Sequence, residues 1–159
     1  MMPGFTHSEI GADPIVVDAY FAATPAQVFE AWTEESAVMQ WFGYQPQSLE
    51  SALVDLRPGG QWRFTFKPND GKQMGFEGKY IEVTPGKRLV FSWHHFALQA
   101  NGERELTPAS RVEVDFAAKG IGTQVRLVHS GIKSEDGLKG VGRGWATSFN
   151  SLMQVFASD

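Results

Sequence analysis

The sequence contains no cysteine. That excludes disulfides, thiolate metal centres and a cysteine nucleophile. Histidine is scarce: the four residues His7, His94, His95 and His129 have no spacing that reads as a zinc motif. Positive charge is outweighed, with 14 Lys and Arg against 18 Asp and Glu, a net charge of −4, and no basic block. Affinity for nucleic acid rests largely on Lys and Arg neutralising phosphates, so nucleic acid is not an expected partner. No apolar run approaches the roughly 20 residues of a membrane helix, and no membrane span is expected. The opening Met-Met-Pro-Gly-Phe-Thr-His-Ser-Glu lacks the basic and apolar regions of a signal peptide, so the expected location is cytoplasmic. Internal repeats and low-complexity tracts are also missing.

What the chain has in excess is rings. Aromatic residues make up 13% of 159 residues, as five Trp, twelve Phe and three Tyr. Hydrophobic residues at 42% and charged residues at 20% suit a globular domain, and one core of this size buries roughly 68–70% of the surface its unfolded chain exposes. The ring volume exceeds what a closed core of this size needs, which points to a pocket.

Residues 1–14 are polar, with Pro3, Gly4, Gly11 and Pro14, and read as a flexible lead-in to a single domain over 15–159. Ile15 to Phe21 is β-branched and aromatic, a first strand. Thr24-Pro25-Ala26-Gln27 is a helix start, with Thr24 as cap, Pro25 at the first position and Gln27 completing a capping box. That helix runs to about Trp32 and a second spans about Glu35–Trp41. Trp62, Phe64 and Phe66 then alternate with Gln61, Arg63, Thr65 and Lys67. Asn69-Asp70-Gly71 reads as a hairpin turn, and strands follow at about 73–83, 88–96, 110–117 and 123–130. Val141, Trp145, Phe149, Leu152 and Phe156 make one stripe of a C-terminal helix from about Glu135 to Phe156. Gly137, Gly140, Gly142 and Gly144 each cost about 1 kcal/mol relative to Ala, so a firm helix is expected only from about Val141. The fold class is α+β: a curved antiparallel sheet of about six to seven strands around that long helix, with two short helices after the first strand.

Two stretches carry a family resemblance: Arg57-Pro58-Gly59-Gly60-Gln61-Trp62-Arg63-Phe64, and Tyr80 through Trp93 with Thr84-Pro85-Gly86-Lys87-Arg88 inside it. With His129-Ser130-Gly131 and Gly144-Trp145, they resemble the activator of heat-shock-protein-90 ATPase homologue domain, over about residues 14–157. The resemblance implies the helix-grip (START-like, SRPBCC) fold, whose members include lipid carriers, cyclases, hydrolases and chaperone cofactors. Eukaryotic chaperone activators of the family carry a further N-terminal domain. Only about 14 residues precede the first strand here, so that domain is not expected.

The candidate cavity residues are the rings Trp32, Trp41, Phe64, Phe66, Phe76, Trp93, Trp145 and Phe149, with His95 and His129 as polar groups. Alternation with Val125 and Leu127 turns His129 inward, where it orients a ligand, acts as a general base or is a satisfied core histidine. His95 shares the inward face of Leu89, Phe91 and Trp93, while His94 faces solvent; adjacent strand histidines cannot chelate one metal. No metal or cofactor is expected. Glu77 and Glu113 alternate with apolar neighbours and are expected to face solvent. Arg143 is either a surface residue or a contact for an anionic ligand at the cavity mouth. Gly140-Val141-Gly142-Arg143-Gly144 lacks the preceding strand and following Lys-Ser/Thr of a phosphate loop.

The leading expectation is a binder of a small hydrophobic molecule held between sheet and C-terminal helix, without assigned catalysis. The alternatives are a cyclase- or hydrolase-type enzyme using His129 in the same cavity, and a chaperone-regulating protein with a protein partner. The expected state is monomer or homodimer.

Overall fold

The computed structural model describes residues 2–43 and 47–157. In chain order the elements are β1 (Gly4–His7), β2 (Ile15–Phe21), α1 (Pro25–Thr33), α2 (Glu35–Trp41), β3 (Leu49–Val54), β4 (Gln61–Phe66), β5 (Gln73–Thr84), β6 (Arg88–Leu98), β7 (Arg104–Leu106), β8 (Ser110–Lys119), β9 (Gly122–Ser130) and α3 (Glu135–Ala157).

Local chemistry accounts for most of these boundaries. At the start of α1 the Thr24 hydroxyl accepts from the Gln27 amide at 3.2 Å, and the Gln27 side chain accepts from the Thr24 amide at 2.9 Å. Asp70 and Gly71 have φ of 53° and 72°, both in the left-handed region a primed two-residue turn requires. Asn69 and Lys72 accordingly exchange both backbone hydrogen bonds at 3.0 Å.

The strands form one antiparallel sheet in the order β1-β2-β9-β8-β6-β5-β4-β3, with β7 paired to the far end of β6. Among the described residues its nine strands exceed the six to seven expected, and β1 and β7 are the additions. β1 also corrects the reading of residues 1–14 as a flexible lead-in, because Gly4–His7 pair with His7↔Val17 through Gly4↔Tyr20. Four residues with a single large apolar side chain carry no periodic signal; the open edge of β2 supplies the order. Phe5 then packs its ring 5.8 Å from Phe149 on α3.

α3 lies across the inner face of the curved sheet, with Trp145, Phe149 and Leu152 buried against it. Burial of each such side chain contributes about 1.5–3 kcal/mol. The helix is regular from Glu135, six residues earlier than its glycines suggested. Its end is well capped: Ser134 Oγ accepts from the Gly137 amide at 2.9 Å, and Glu135 and Asp136 sit at the positive end of the helix dipole. Lys139 adds an ion pair to Glu135 at 3.3 Å. These terms offset part of the glycine cost, enough to keep the first turns helical.

Candidate functional site

The inner face of β4, β5 and β6 presents Trp62, Phe64, Phe66, Phe76, Phe91 and Trp93 by strand alternation. A side chain at Gly78 would collide with the Ser92 carbonyl oxygen. Its absence lets Trp62 reach that oxygen and donate to it at 3.1 Å. Opposite this wall, α3 turns Gly140, Val141, Gly144 and Trp145 toward the rings. The segment after α2 closes one side, since Gly43 donates its amide to Ser148 Oγ at 3.0 Å with φ at +117°.

Three spaces lie between these walls, and Trp93 borders all of them. The outermost is a groove of about 340 Å³ between β6 and the start of α3, with His95, Thr107, Ser110, Ile132 and Val141 in its walls. The next is a void of about 20 Å³ against Phe42, Phe66, Phe76, Val141 and Trp145. The innermost is about 10 Å³, walled by Trp32, Trp41, Phe64, Tyr80 and Phe91, with Phe42 and Trp145 shared with its neighbour. The two inner spaces are water-sized. A small-molecule pocket is typically 300–1,000 Å³, and of these three spaces the groove falls at the low end of that range. The ring excess therefore went mainly into core packing, with centroids such as Phe76–Trp93 at 4.3 Å and Trp32–Trp41 at 4.8 Å.

His129 is fully buried and borders neither inner void. Its Nδ1 accepts from the Trp145 indole N–H at 3.0 Å, so the proton of the neutral ring resides on Nε2. Nε2–H donates to Ser110 Oγ at 2.8 Å, and Ser110 Oγ donates onward to the Trp93 carbonyl at 3.3 Å. Burial pushes the His129 pKa down to about 3. Every polar group in this chain from α3 to β6 has a partner.

His95 is half-buried at the groove, its ring 5.4 Å from Phe76 and its pKa lowered by desolvation. Burial raises the pKa of the Tyr80 phenol in the inner wall. Among the described residues no three His, Asp or Glu gather as a metal site.

The structure thus brings Trp32, Trp41, Phe64, Phe66, Phe76, Trp93 and Trp145 around the inner voids and places His95 at the outer groove. Phe149 is buried away from both voids, under Trp32 and Phe5. The expectations for the acids need correction. Glu77 lies on the outer face but is buried, because Arg63 at 3.2 Å and Arg104 both close over its carboxylate. Arg104 arrives on β7, a strand with no signal of its own. Glu113 is half-buried in a network with Arg88 at 2.6 Å. Arg143 is exposed. Sequence reasoning missed Phe42, Tyr80, Val141 and Ser148 as wall residues. The i, i+4 pair Gly140 and Gly144 was a usable sign of a bare helix face toward the rings.

A curved antiparallel sheet closed on a long C-terminal helix, with a ring-lined interface between them, is a helix-grip domain. The chain belongs to the family described as Activator of Hsp90 ATPase homolog 1-like protein, whose model matches residues 22–157. Among solved structures, an uncharacterised Rhizobium leguminosarum protein is similar over 100% of both chains, with TM-score 0.75 and 22% identity. A Chromobacterium violaceum protein is similar over 92% of this chain and 99% of its own, with TM-score 0.75 and 23% identity. DynU16, from the dynemicin biosynthetic locus, is similar over 92% of this chain and 48% of its own, with TM-score 0.68 and 20% identity. At these identities the likeness is one of fold. No curated protein matches the chain. Among the described residues no helix is long and apolar enough to cross a membrane.

Proposed function

We propose that the protein binds a small hydrophobic molecule between the sheet and the first half of α3. The observation that carries this reading is the run of three spaces along Trp93, the two inner ones walled mainly by rings and the groove by apolar residues together with His95, Thr107, Ser110 and Lys133. Occupancy requires the inner voids to merge, and α3 is built for that at its start. Gly137, Gly140, Gly142 and Gly144 each weaken it by about 1 kcal/mol relative to Ala, so this half opens at lower cost than the Trp145–Leu152 half. Val141 stands between groove and first void. Its displacement joins them.

The family and fold allow a second reading, regulation of a heat-shock-protein-90 ATPase, which rests on the family description. Catalysis by His129 is disfavoured by its tautomer. A base acting on Ser110 needs a free lone pair on Nε2, and the Trp145 bond puts the proton there.

The test is titration of the folded protein with 1-anilinonaphthalene-8-sulfonate, alongside native mass spectrometry of freshly purified protein. Saturable fluorescence enhancement that Val141→Trp abolishes is the expected result. Absence of saturable binding under native conditions, with ATPase stimulation of heat-shock protein 90, would favour the second reading instead.

A further inference from the structure

Four of the five tryptophans can be followed by their indole nitrogens. Trp41 donates to the Ala31 carbonyl at 2.8 Å, Trp62 to Ser92 at 3.1 Å and Trp145 to His129 at 3.0 Å. Trp32 differs. Its Nε1 is the one buried side-chain polar atom among the described residues with no hydrogen-bond partner, in a side chain only 5% exposed. Native interiors rarely leave such a donor unmatched, because a buried unpaired N–H forfeits its hydration without return. Trp32 also lines the innermost void, which shares only Trp93 with the groove.

We infer that this innermost space recognises a neutral oxygen acceptor, so that the ligand is an apolar, ring-sized molecule with a carbonyl, ether or hydroxyl oxygen at its leading end, held by the Trp32 indole N–H. The inference rests on the hydrophobic-ligand reading and names the chemistry its inner subsite selects. Three features narrow the class. A donor head such as an amine meets another donor at Trp32. An ionised head meets no cation, since the walls are Trp32, Trp41, Phe64, Tyr80, Phe91 and other rings, and burial already raises the Tyr80 phenol. The innermost void of about 10 Å³ suits a single oxygen tip and not a branched group. Trp32 is also held in place, with its ring 4.8 Å from Trp41, 5.8 Å from Trp145 and 6.3 Å from Phe116. A fixed donor needs little ordering when the acceptor arrives.

The experiment compares 1-indanone with indane, which share a carbon frame and differ by the ketone oxygen. Binding is followed in the ¹H–¹⁵N spectrum of the full chain, in which each of the five tryptophans contributes one indole N–H signal. Relative to wild type, Trp32→Phe should lower the indanone-to-indane affinity ratio about 3- to 10-fold, the worth of one neutral hydrogen bond. Using a ratio cancels packing losses common to both molecules. Should Trp32→Phe not fold, the wild-type spectrum decides: indanone should shift the Trp32 N–H signal downfield and indane should not. An unchanged ratio, or a Trp32 signal that indanone leaves in place while other core signals move, overturns the inference and leaves a resident water as that donor's partner. If neither molecule moves any core signal up to its solubility limit, the inference and the hydrophobic-ligand reading fall together.

Discussion

The Trp145 indole N–H donates to His129 Nδ1 across 3.0 Å, fastening α3 to β9 in the centre of the core. Through Ser110 Oγ the same chain reaches the backbone of Trp93 on β6, so one histidine ties three strands to the helix. This arrangement makes His129 a structural pin, beside the proposed ligand space and not within it.

Replacing the pin should therefore cost stability first. His129→Ala leaves the Trp145 and Ser110 groups without partners and opens a cavity, an expected loss of about 2–4 kcal/mol. His129→Gln retains shape and part of the bonding and should lose less. Urea unfolding of both variants measures this, and an unchanged midpoint in His129→Ala would refute the structural role.

The same group predicts how stability responds to acid. Its folded pKa of about 3 lies below the unfolded value near 6.5, so the folded state binds fewer protons between them. The contribution is complete above the unfolded pKa and is lost as pH falls toward the folded one. The decline should approach about 1.4 kcal/mol per pH unit, with desolvated His95 adding a smaller part in the same direction. Unfolding free energies at pH 7, 6, 5 and 4 should fall more steeply for wild type than for His129→Gln. Parallel curves would exclude His129 as the source.

Gly140 offers a test in the opposite direction. A Cβ built there has no heavy atom within 4 Å, although the residue borders the 20 Å³ void. Gly140→Ala should raise stability by about 0.5–1 kcal/mol through helix propensity. By stiffening the start of α3 it should also weaken and slow the binding of 1-anilinonaphthalene-8-sulfonate. Stabilisation together with unchanged binding would show that α3 does not open for the ligand.

Glu77 tests the outer face. Its carboxylate is buried beneath Arg63 and Arg104, whose guanidinium groups also lie 5.8 and 5.2 Å from the Phe96 ring. Glu77→Ala should cost about 1–3 kcal/mol, because two charges held close together lose their counter-ion. Asp55→Asn, which breaks the exposed 2.9 Å pair with Arg57, should cost less than about 0.5 kcal/mol. Equal thermal melts for the two variants would contradict this ranking.

The elements legible in the chain were those with a local cause. The Thr24–Gln27 capping box, the Asn69-Asp70-Gly71 turn and the alternating Trp62, Phe64 and Phe66 each act within a few residues, and each stands where its pattern put it. β1 and β7 were illegible for a shared reason. Their order comes from a partner edge outside the segment, and no periodicity within the segment records it.

The sequence by itself determined that rings would crowd the interface between sheet and helix, because strand alternation and helical spacing direct them there. Whether those rings enclose a cavity was decided by tertiary packing alone. Free volume is the small remainder after side chains from α1, β4, β5, β6 and α3 interdigitate, and residues as distant in sequence as Phe42 and Trp145 fill it jointly. The bonding of His129 was decided in the same way. Alternation turned it inward, but only the approach of Trp145 from α3 fixed its tautomer and fastened it to the helix.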